Sequence, residues 1–125
     1  MTRSLLAALV LALAWWQPLG AQGQRTPSPQ NGKVVFDKWC GTCHGAVAPA
    51  QSTFGGGALP GTAALALKYR GKLPAVLEER TDLAPAGIRA VVRGGLFGMP
   101  ITRKTEVTDA ELEDIVAYLT RGRSR

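Results

Sequence analysis

The chain has 125 residues, which is enough for one small domain and too few for a second. The 15 Lys and Arg residues against 9 Asp and Glu give a formal net charge of +6, but only 19% of residues are charged, so neither a disordered tail nor a nucleic-acid-binding arm is expected. With 15 Gly, 8 Pro and 1 His, the composition argues against a plain helical bundle, a binuclear metal enzyme and an ordinary Ser-His-Asp hydrolase.

Residues 1–21 are predicted to be a secretory signal peptide. A positive residue precedes an apolar run over 5–16, which Pro18 breaks, and cleavage is expected after Ala21 or after Gly23. The alternative is an uncleaved membrane anchor, but the run is shorter than the roughly 20 apolar residues that a span needs. We therefore expect a periplasmic protein with no membrane span after cleavage.

The mature chain is expected to hold a short lead-in and one domain. Residues 22–30 contain two prolines and no apolar side chain, which is typical of a flexible segment. Residues 31–122 form the predicted domain. No alternating β-strand pattern occurs in the chain, so an all-α fold of about four or five helices is predicted.

The first predicted helix begins at an Asn31 cap. Gly32 and Phe36 are four residues apart and therefore share one face of this helix. A glycine permits a close helix crossing, so we expect this face to pack against Ile115 and Tyr118 of the last helix.

The sequence Cys40-Gly41-Thr42-Cys43-His44 is a C-x-x-C-H motif, which is typical of covalent haem attachment. The two thiols add to the two vinyl groups of the porphyrin, and the imidazole of the next residue is then held under the iron as the proximal ligand. One covalent haem c is therefore predicted, attached through Cys40 and Cys43, with His44 bound to the metal.

Other interpretations of the two cysteines remain open at this point. A structural disulfide suits an exported protein, although a loop closed over two residues constrains the unfolded chain little. A thioredoxin-like dithiol should follow a strand, whereas the run before Cys40 has a helical pattern. A zinc site would need a fourth ligand beyond Cys40, Cys43 and His44.

The imidazole of His44 is expected to have a hydrogen-bond partner. A metal-bound histidine usually donates its other ring N–H to a backbone carbonyl, which sets its tautomer and its basicity. We predict the carbonyl of Pro60 as the acceptor, with that of Pro49 as the nearer alternative.

Shorter helices are predicted in the middle of the chain. Thr62 is expected to cap a helix over 63–70, and Pro74 to open a turn. Pro85 is expected to open a helix over 86–93. Three apolar residues of that helix are predicted to face inward: Ile88, Val91 and Val92.

Met99 is predicted to be the sixth ligand of the iron. It is the only methionine left after export, and it lies in a glycine-rich loop that ends at Pro100. Thioether sulfur is a soft ligand suited to haem iron, and His/Met ligation raises the reduction potential. The alternatives are a methionine that only fills the core and a five-coordinate haem that binds a gas or reacts with peroxide.

The last helix is predicted from a capping box at Thr108 and Glu111. Its apolar stripe has helical spacing and is formed by Leu112, Ile115, Val116 and Leu119. Acidic residues concentrate near this helix, whereas the middle of the chain is basic. If the basic residues surround an exposed haem edge, they would steer an acidic partner towards it; otherwise they are ordinary solvated side chains.

Taken together, these motifs resemble those of the class I cytochromes c. The resemblance covers residues 31–121: C-x-x-C-H near the mature N-terminus, Met99-Pro100 late in the chain, and a final helix that ends in Ala117-Tyr118-Leu119. It implies an electron carrier with His44 and Met99 as iron ligands, and a protein that is not itself an enzyme.

A narrower resemblance is to the cytochrome subunit of p-cresol methylhydroxylase-type flavocytochromes. Five short runs carry it: Lys38-Trp39-Cys40, Pro60-Gly61-Thr62-Ala63-Ala64-Leu65, Lys68-Tyr69, Glu79-Arg80-Thr81-Asp82-Leu83, and Arg103-Lys104-Thr105-Glu106 after Met99-Pro100. It implies a flavoprotein dehydrogenase subunit that oxidises 4-alkylphenols and passes electrons to this chain, which hands them to a downstream acceptor. The alternative is a free cytochrome that shuttles electrons to a terminal oxidase or another dehydrogenase.

Overall fold

The computed structural model describes residues 25–46 and 59–121. Within these ranges the chain is all-helical and forms no strand, as predicted. The five α-helices, numbered in chain order, are α1 (Pro29–Trp39), α2 (Gly41–His44), α3 (Pro60–Tyr69), α4 (Pro85–Gly94) and α5 (Asp109–Thr120). A 3-10 helix covers Leu77–Glu79, in the turn expected after Pro74.

The predicted signal peptide and both of its predicted cleavage sites lie outside the described residues. Among residues 25–46 and 59–121, no helix is long and apolar enough to cross a membrane.

Helix α1 begins earlier than the sequence predicted. Ser28 is its N-cap, with a side-chain oxygen that accepts a hydrogen bond from the Asn31 backbone N–H at 3.2 Å, and Pro29 takes the first helical position. The prediction of Asn31 as the cap was wrong. The Asn31 side-chain amide instead donates to the carboxylate of Asp114, a residue 83 positions away.

The Asp114 carboxylate is completely buried and joins the N-terminal segment to α5. It accepts hydrogen bonds from the Arg25 guanidinium at 2.9 Å and from the Ser28 backbone N–H at 2.8 Å, in addition to the one from Asn31. Part of the segment predicted as a flexible lead-in is therefore fastened to the last helix. Burial alone would raise the pKa of Asp114, but the three donors outweigh it and hold the pKa below its usual value.

Helices α1 and α5 cross at Gly32. A Cβ atom at this position would lie 2.0 Å from the Asp114 carbonyl oxygen and 2.8 Å from the Tyr118 Cβ, so only glycine fits. One turn further on, the rings of Phe36 and Tyr118 pack with centroids 5.7 Å apart and a tilt of 51°. The predicted contact between the first and last helices is confirmed, and Ile115 is buried in the same core.

The core lies between helices α1, α4 and α5. Val107, the residue before the Thr108 N-cap of α5, is buried in it. Of the three α4 residues predicted to face inward, Ile88 and Val92 are buried, whereas Val91 is only half-buried. The buried apolar residues are Val35, Phe36, Ile88, Val92, Val107, Leu112, Ile115, Val116, Tyr118 and Leu119.

Local sequence signals set the ends of two helices as predicted. Helix α4 begins at Pro85, and the capping box of α5 is formed. In that box the Thr108 hydroxyl accepts from the Glu111 N–H at 3.2 Å, and the Glu111 carboxylate accepts from the Thr108 N–H at 2.8 Å. Helix α3, in contrast, begins at Pro60 after Leu59, so Thr62 lies inside the helix and does not cap it.

We expect Asp114→Asn to lower the free energy of unfolding at neutral pH by about 2–4 kcal/mol, since it removes the charge from a buried carboxylate with three donors. The depressed pKa means that the carboxylate stabilises the fold above its unfolded-state pKa of about 4, and that this contribution is lost as the pH falls through the folded-state pKa. Urea unfolding from neutral to acidic pH should therefore show the gap between the wild type and the variant closing in acid.

Asp37→Asn is the matched control. The Asp37 carboxylate forms an exposed i,i+4 ion pair with Lys33, so its replacement should cost about 0.5 kcal/mol or less. A gap between the wild type and Asp114→Asn that stays constant with pH would contradict the assignment of this carboxylate.

Candidate functional site

The C-x-x-C-H residues form a single helical turn directly after α1. The Cys40 carbonyl accepts hydrogen bonds from the Cys43 N–H at 3.0 Å and from the His44 N–H at 2.9 Å, and the Gly45 N–H closes the turn on the Gly41 carbonyl at 3.0 Å. This geometry follows from the spacing, because two residues between the cysteines fit one turn of helix. It places Cys40, Cys43 and His44 three and four residues apart on one helical turn, a spacing that shares one helix face.

Both cysteine thiols are free, and their surroundings differ. Cys40 is half-buried, and burial together with the neighbouring Cys43 raises its pKa to about 11. A redox-active dithiol needs a cysteine with a lowered pKa. The shift at Cys40 has the opposite sign, which argues against a thioredoxin-like site.

His44 is packed against the first turn of α3. Burial lowers the pKa of the imidazole, which favours the neutral form that can bind a metal. A Cβ atom at Gly61 would lie 2.5 Å from His44 Cε1 and 2.7 Å from Nδ1, so the ring occupies the space that this glycine leaves.

The Nδ1 atom of His44 is buried and has no hydrogen-bond partner among the residues that the structure describes. The predicted bond to the Pro60 carbonyl is therefore not formed. Pro60 is the first residue of α3, and Gly61, the next residue, lies against Nδ1. The alternative acceptor, Pro49, lies outside the described residues.

Thr62 connects α3 to the cysteine turn, a contact that the sequence analysis missed. Its side chain is buried, and its hydroxyl donates to the Gly45 carbonyl at 3.3 Å, with the Cys43 carbonyl 3.5 Å away. The sequence showed a threonine near a helix start, which predicts a cap. Only the fold reveals that the hydroxyl faces another segment.

Met99 ends a tight turn between α4 and α5. The Leu96 N–H donates to the Met99 carbonyl at 3.2 Å, and the Met99 N–H donates back to the Leu96 carbonyl at 3.0 Å. Gly95 precedes this turn with φ +71°, and a Cβ there would lie 2.8 Å from the Met99 carbonyl oxygen. Met99 is half-buried and packs against the same apolar core as Cys40.

These residues fit a covalently attached haem. Two free thiols one turn apart can form thioethers, a neutral imidazole can bind the iron, and a soft sulfur borders the same core from another segment. Within the described part of the chain, no three His, Cys, Asp or Glu side chains are placed to hold a metal ion by themselves. That arrangement gives no support to a zinc site.

A family model described as cytochrome c oxidase, cbb3-type, subunit III matches residues 27–119. The chain belongs to this family of c-type cytochromes. It is therefore an electron-transfer protein that carries covalent haem c, and the class I cytochrome c prediction is confirmed at this level. No curated protein and no solved structure gives a significant match to the cytochrome.

We expect Gly61→Ala to destabilise the cytochrome by about 1–3 kcal/mol, the usual cost of forcing an extra methyl group into a packed site. The new methyl would overlap both the His44 ring and the Cys43 carbonyl oxygen, which lies 2.8 Å from the added Cβ position. Urea unfolding measures the loss, and the visible spectrum reports any displacement of the imidazole.

Gly87→Ala is the control, since a Cβ there meets nothing within 4 Å. We expect it to be neutral or stabilising by up to about 1 kcal/mol, because alanine favours the helix. Equal stability and unchanged spectra for the two variants would contradict the close packing of His44 on α3.

Proposed function

We propose that the cytochrome is an exported, periplasmic electron carrier in which Cys40 and Cys43 would hold the haem and His44 and Met99 would bind its iron. The Cys40–His44 turn is the observation that carries the proposal. It combines free thiols one turn apart with a half-buried imidazole whose lowered pKa favours the neutral form.

The haem iron supplies one-electron chemistry between Fe(II) and Fe(III), and the chain sets the conditions for it. Met99 would contribute a soft thioether, which raises the reduction potential. Gly61 and Thr62 hold the His44 segment, and Cys40 and Met99 both pack against the apolar core.

The proposed electron donor is a flavoprotein dehydrogenase that oxidises 4-alkylphenols. Support comes from the short runs that resemble the cytochrome subunits of such flavocytochromes. Parts of two of these runs form one cluster, in which the Arg80 guanidinium stacks on the Tyr69 ring at 4.3 Å and donates to the Asp82 carboxylate at 2.9 Å. The Arg80 side chain is nearly buried and contacts both partners, which supports treating these two runs as one feature.

The second candidate is a diffusible carrier that delivers electrons to a terminal oxidase or another dehydrogenase. The family description favours it, because the matched family is named for a subunit of a cytochrome oxidase.

Affinity purification of the holoprotein from its native host separates the two candidates. A stoichiometric flavin-containing subunit, with phenol-dependent reduction of the haem, is the expected result for the first. A cytochrome that purifies without any flavoprotein and is oxidised by membranes containing a terminal oxidase would contradict the first and favour the second.

Met99→Ala should leave the haem attached, because the thioethers are untouched, and should convert the iron from low-spin to high-spin by removing its sixth ligand. Visible spectroscopy and a haem stain on a denaturing gel measure the two effects. Ile101→Ala, an exposed apolar position in the same loop, is the control and should keep the wild-type spectrum. An unchanged spectrum for Met99→Ala would show that the ligand lies elsewhere.

A further inference from the structure

Helix α3 has an outer face that the domain does not cover. Thr62 is the one buried residue of this helix, although most of its side chains are apolar. Leu67 is 78% exposed. Ala64 and Lys68 share its helix face, since the three residues stand at positions i, i+3 and i+4, and both are exposed. One exposed leucine is ordinary on a protein surface, so the charges beside it decide what this face can bind.

Three exposed cations directly follow Leu67 in the sequence: Lys68, Arg70 and Lys72. None of them takes part in an ion pair within residues 25–46 and 59–121. The Lys68 ammonium lies over the Tyr69 ring at 5.3 Å, which leaves its charge in place. Residues 45–77 contain no Asp or Glu. The described part of the chain therefore supplies no partner carboxylate for these three charges.

The dipole of α3 offsets only a small part of this charge. Cations are favourable near a helix C-terminus, which carries about −0.5 elementary charge. Three cations in and just after the last turn of α3 therefore leave an excess of about +2.5. A surface with this excess attracts an anionic partner.

The backbone that carries the three cations is ordered. The buried Arg80 guanidinium stacks on the ring of Tyr69, the last residue of α3, at 4.3 Å. The Arg70 N–H donates to the Ala66 carbonyl at 2.8 Å, and the Lys72 N–H donates to the Tyr69 carbonyl at 2.9 Å. Binding at a preformed backbone costs little conformational entropy.

We propose that Leu67, Lys68, Arg70 and Lys72, which we call the α3 surface, bind the headgroup region of an anionic phospholipid bilayer. Leu67 enters the boundary between headgroups and acyl chains. The three cations contact the lipid phosphates, and their alkyl stems lie along the apolar boundary. This inference goes beyond electron transfer and depends on neither the iron ligands nor the electron donor.

The composition of the α3 surface favours a bilayer over a protein partner. Each Lys or Arg near an anionic bilayer strengthens binding about fivefold and needs no fixed geometry. A specific protein interface is instead centred on a group of apolar and aromatic anchors. Leu67 is the one large exposed apolar residue of the α3 surface. A second copy of the chain meeting this surface through its own would bring like charges together.

Co-sedimentation of the ferric holoprotein with lipid vesicles tests the proposal. We expect binding to vesicles made of equal parts phosphatidylglycerol and phosphatidylcholine, no binding to pure phosphatidylcholine, and release by salt. The combined variant Lys68→Gln, Arg70→Gln and Lys72→Gln should bind about 100-fold more weakly, since three cations are lost. Its visible spectrum should match that of the wild type.

A control variant of the same net charge takes its substitutions from other elements: Lys33→Gln in α1, and Arg103→Gln and Lys104→Gln before α5. It should stay within about fivefold of the wild type, because its charges lie outside the α3 surface. Leu67→Ser should weaken binding about tenfold, as expected when a leucine no longer enters the apolar boundary. Val34→Ser, at a 65% exposed position of α1, should bind like the wild type.

A wild-type holoprotein that does not bind the anionic vesicles would overturn the proposal. Equal losses in the two triple variants would also overturn it, because net charge alone would then explain the binding. Equal binding by Leu67→Ser and Val34→Ser would contradict the insertion of the leucine. Unchanged vesicle binding in the α3 triple variant, with slower reduction of its haem by the acidic flavoprotein flavodoxin, would assign the surface to a protein partner instead. A holoprotein that binds vesicles as expected but is not reduced by dithionite would refute the electron-carrier function and support the α3 surface.

Discussion

The crossing of α1 and α5 determines where the chain enters its haem-binding turn. Gly32 lets the backbone of α1 lie against the Asp114 carbonyl, and the Asp114 carboxylate holds the segment before α1 at the same place. Because the turn starts at Cys40, one residue after α1 ends, the positions of both thiols and of His44 follow from this crossing. Any side chain at position 32 would move the helix and the turn together.

The remaining segments reach the site from other directions and depend on the same core. In helix α3, Gly61 packs against the His44 ring and the Thr62 hydroxyl donates to the Gly45 carbonyl. The loop after α4 brings Met99 to the core that also contacts Cys40. A domain of this size buries little apolar surface by itself. A flat, covalently attached haem would add apolar surface to this core.

Most features that the sequence predicted correctly depend on neighbours in the chain. The packing of Gly32 and Phe36 on the last helix is the long-range exception, and it follows from the spacing of those two residues on one helix face. The Thr108–Glu111 capping box, the start of α4 at Pro85 and the cysteine turn each follow from residues within about one helical turn of each other. The features it missed depend on distant partners. The Asn31 side-chain amide donates a hydrogen bond to the Asp114 carboxylate, and the Thr62 hydroxyl donates one to the Gly45 carbonyl after the cysteine turn.

A spectroelectrochemical titration of the exported holoprotein, with carbon monoxide added to the ferrous form, tests the central claim most directly. The account predicts one reversible one-electron transition, low-spin spectra in both oxidation states and no ready uptake of carbon monoxide, because the proposed ligands His44 and Met99 would leave no open position on the iron. A high-spin ferrous form that binds carbon monoxide at once, or a colourless protein from a cell able to mature c-type cytochromes, would contradict it.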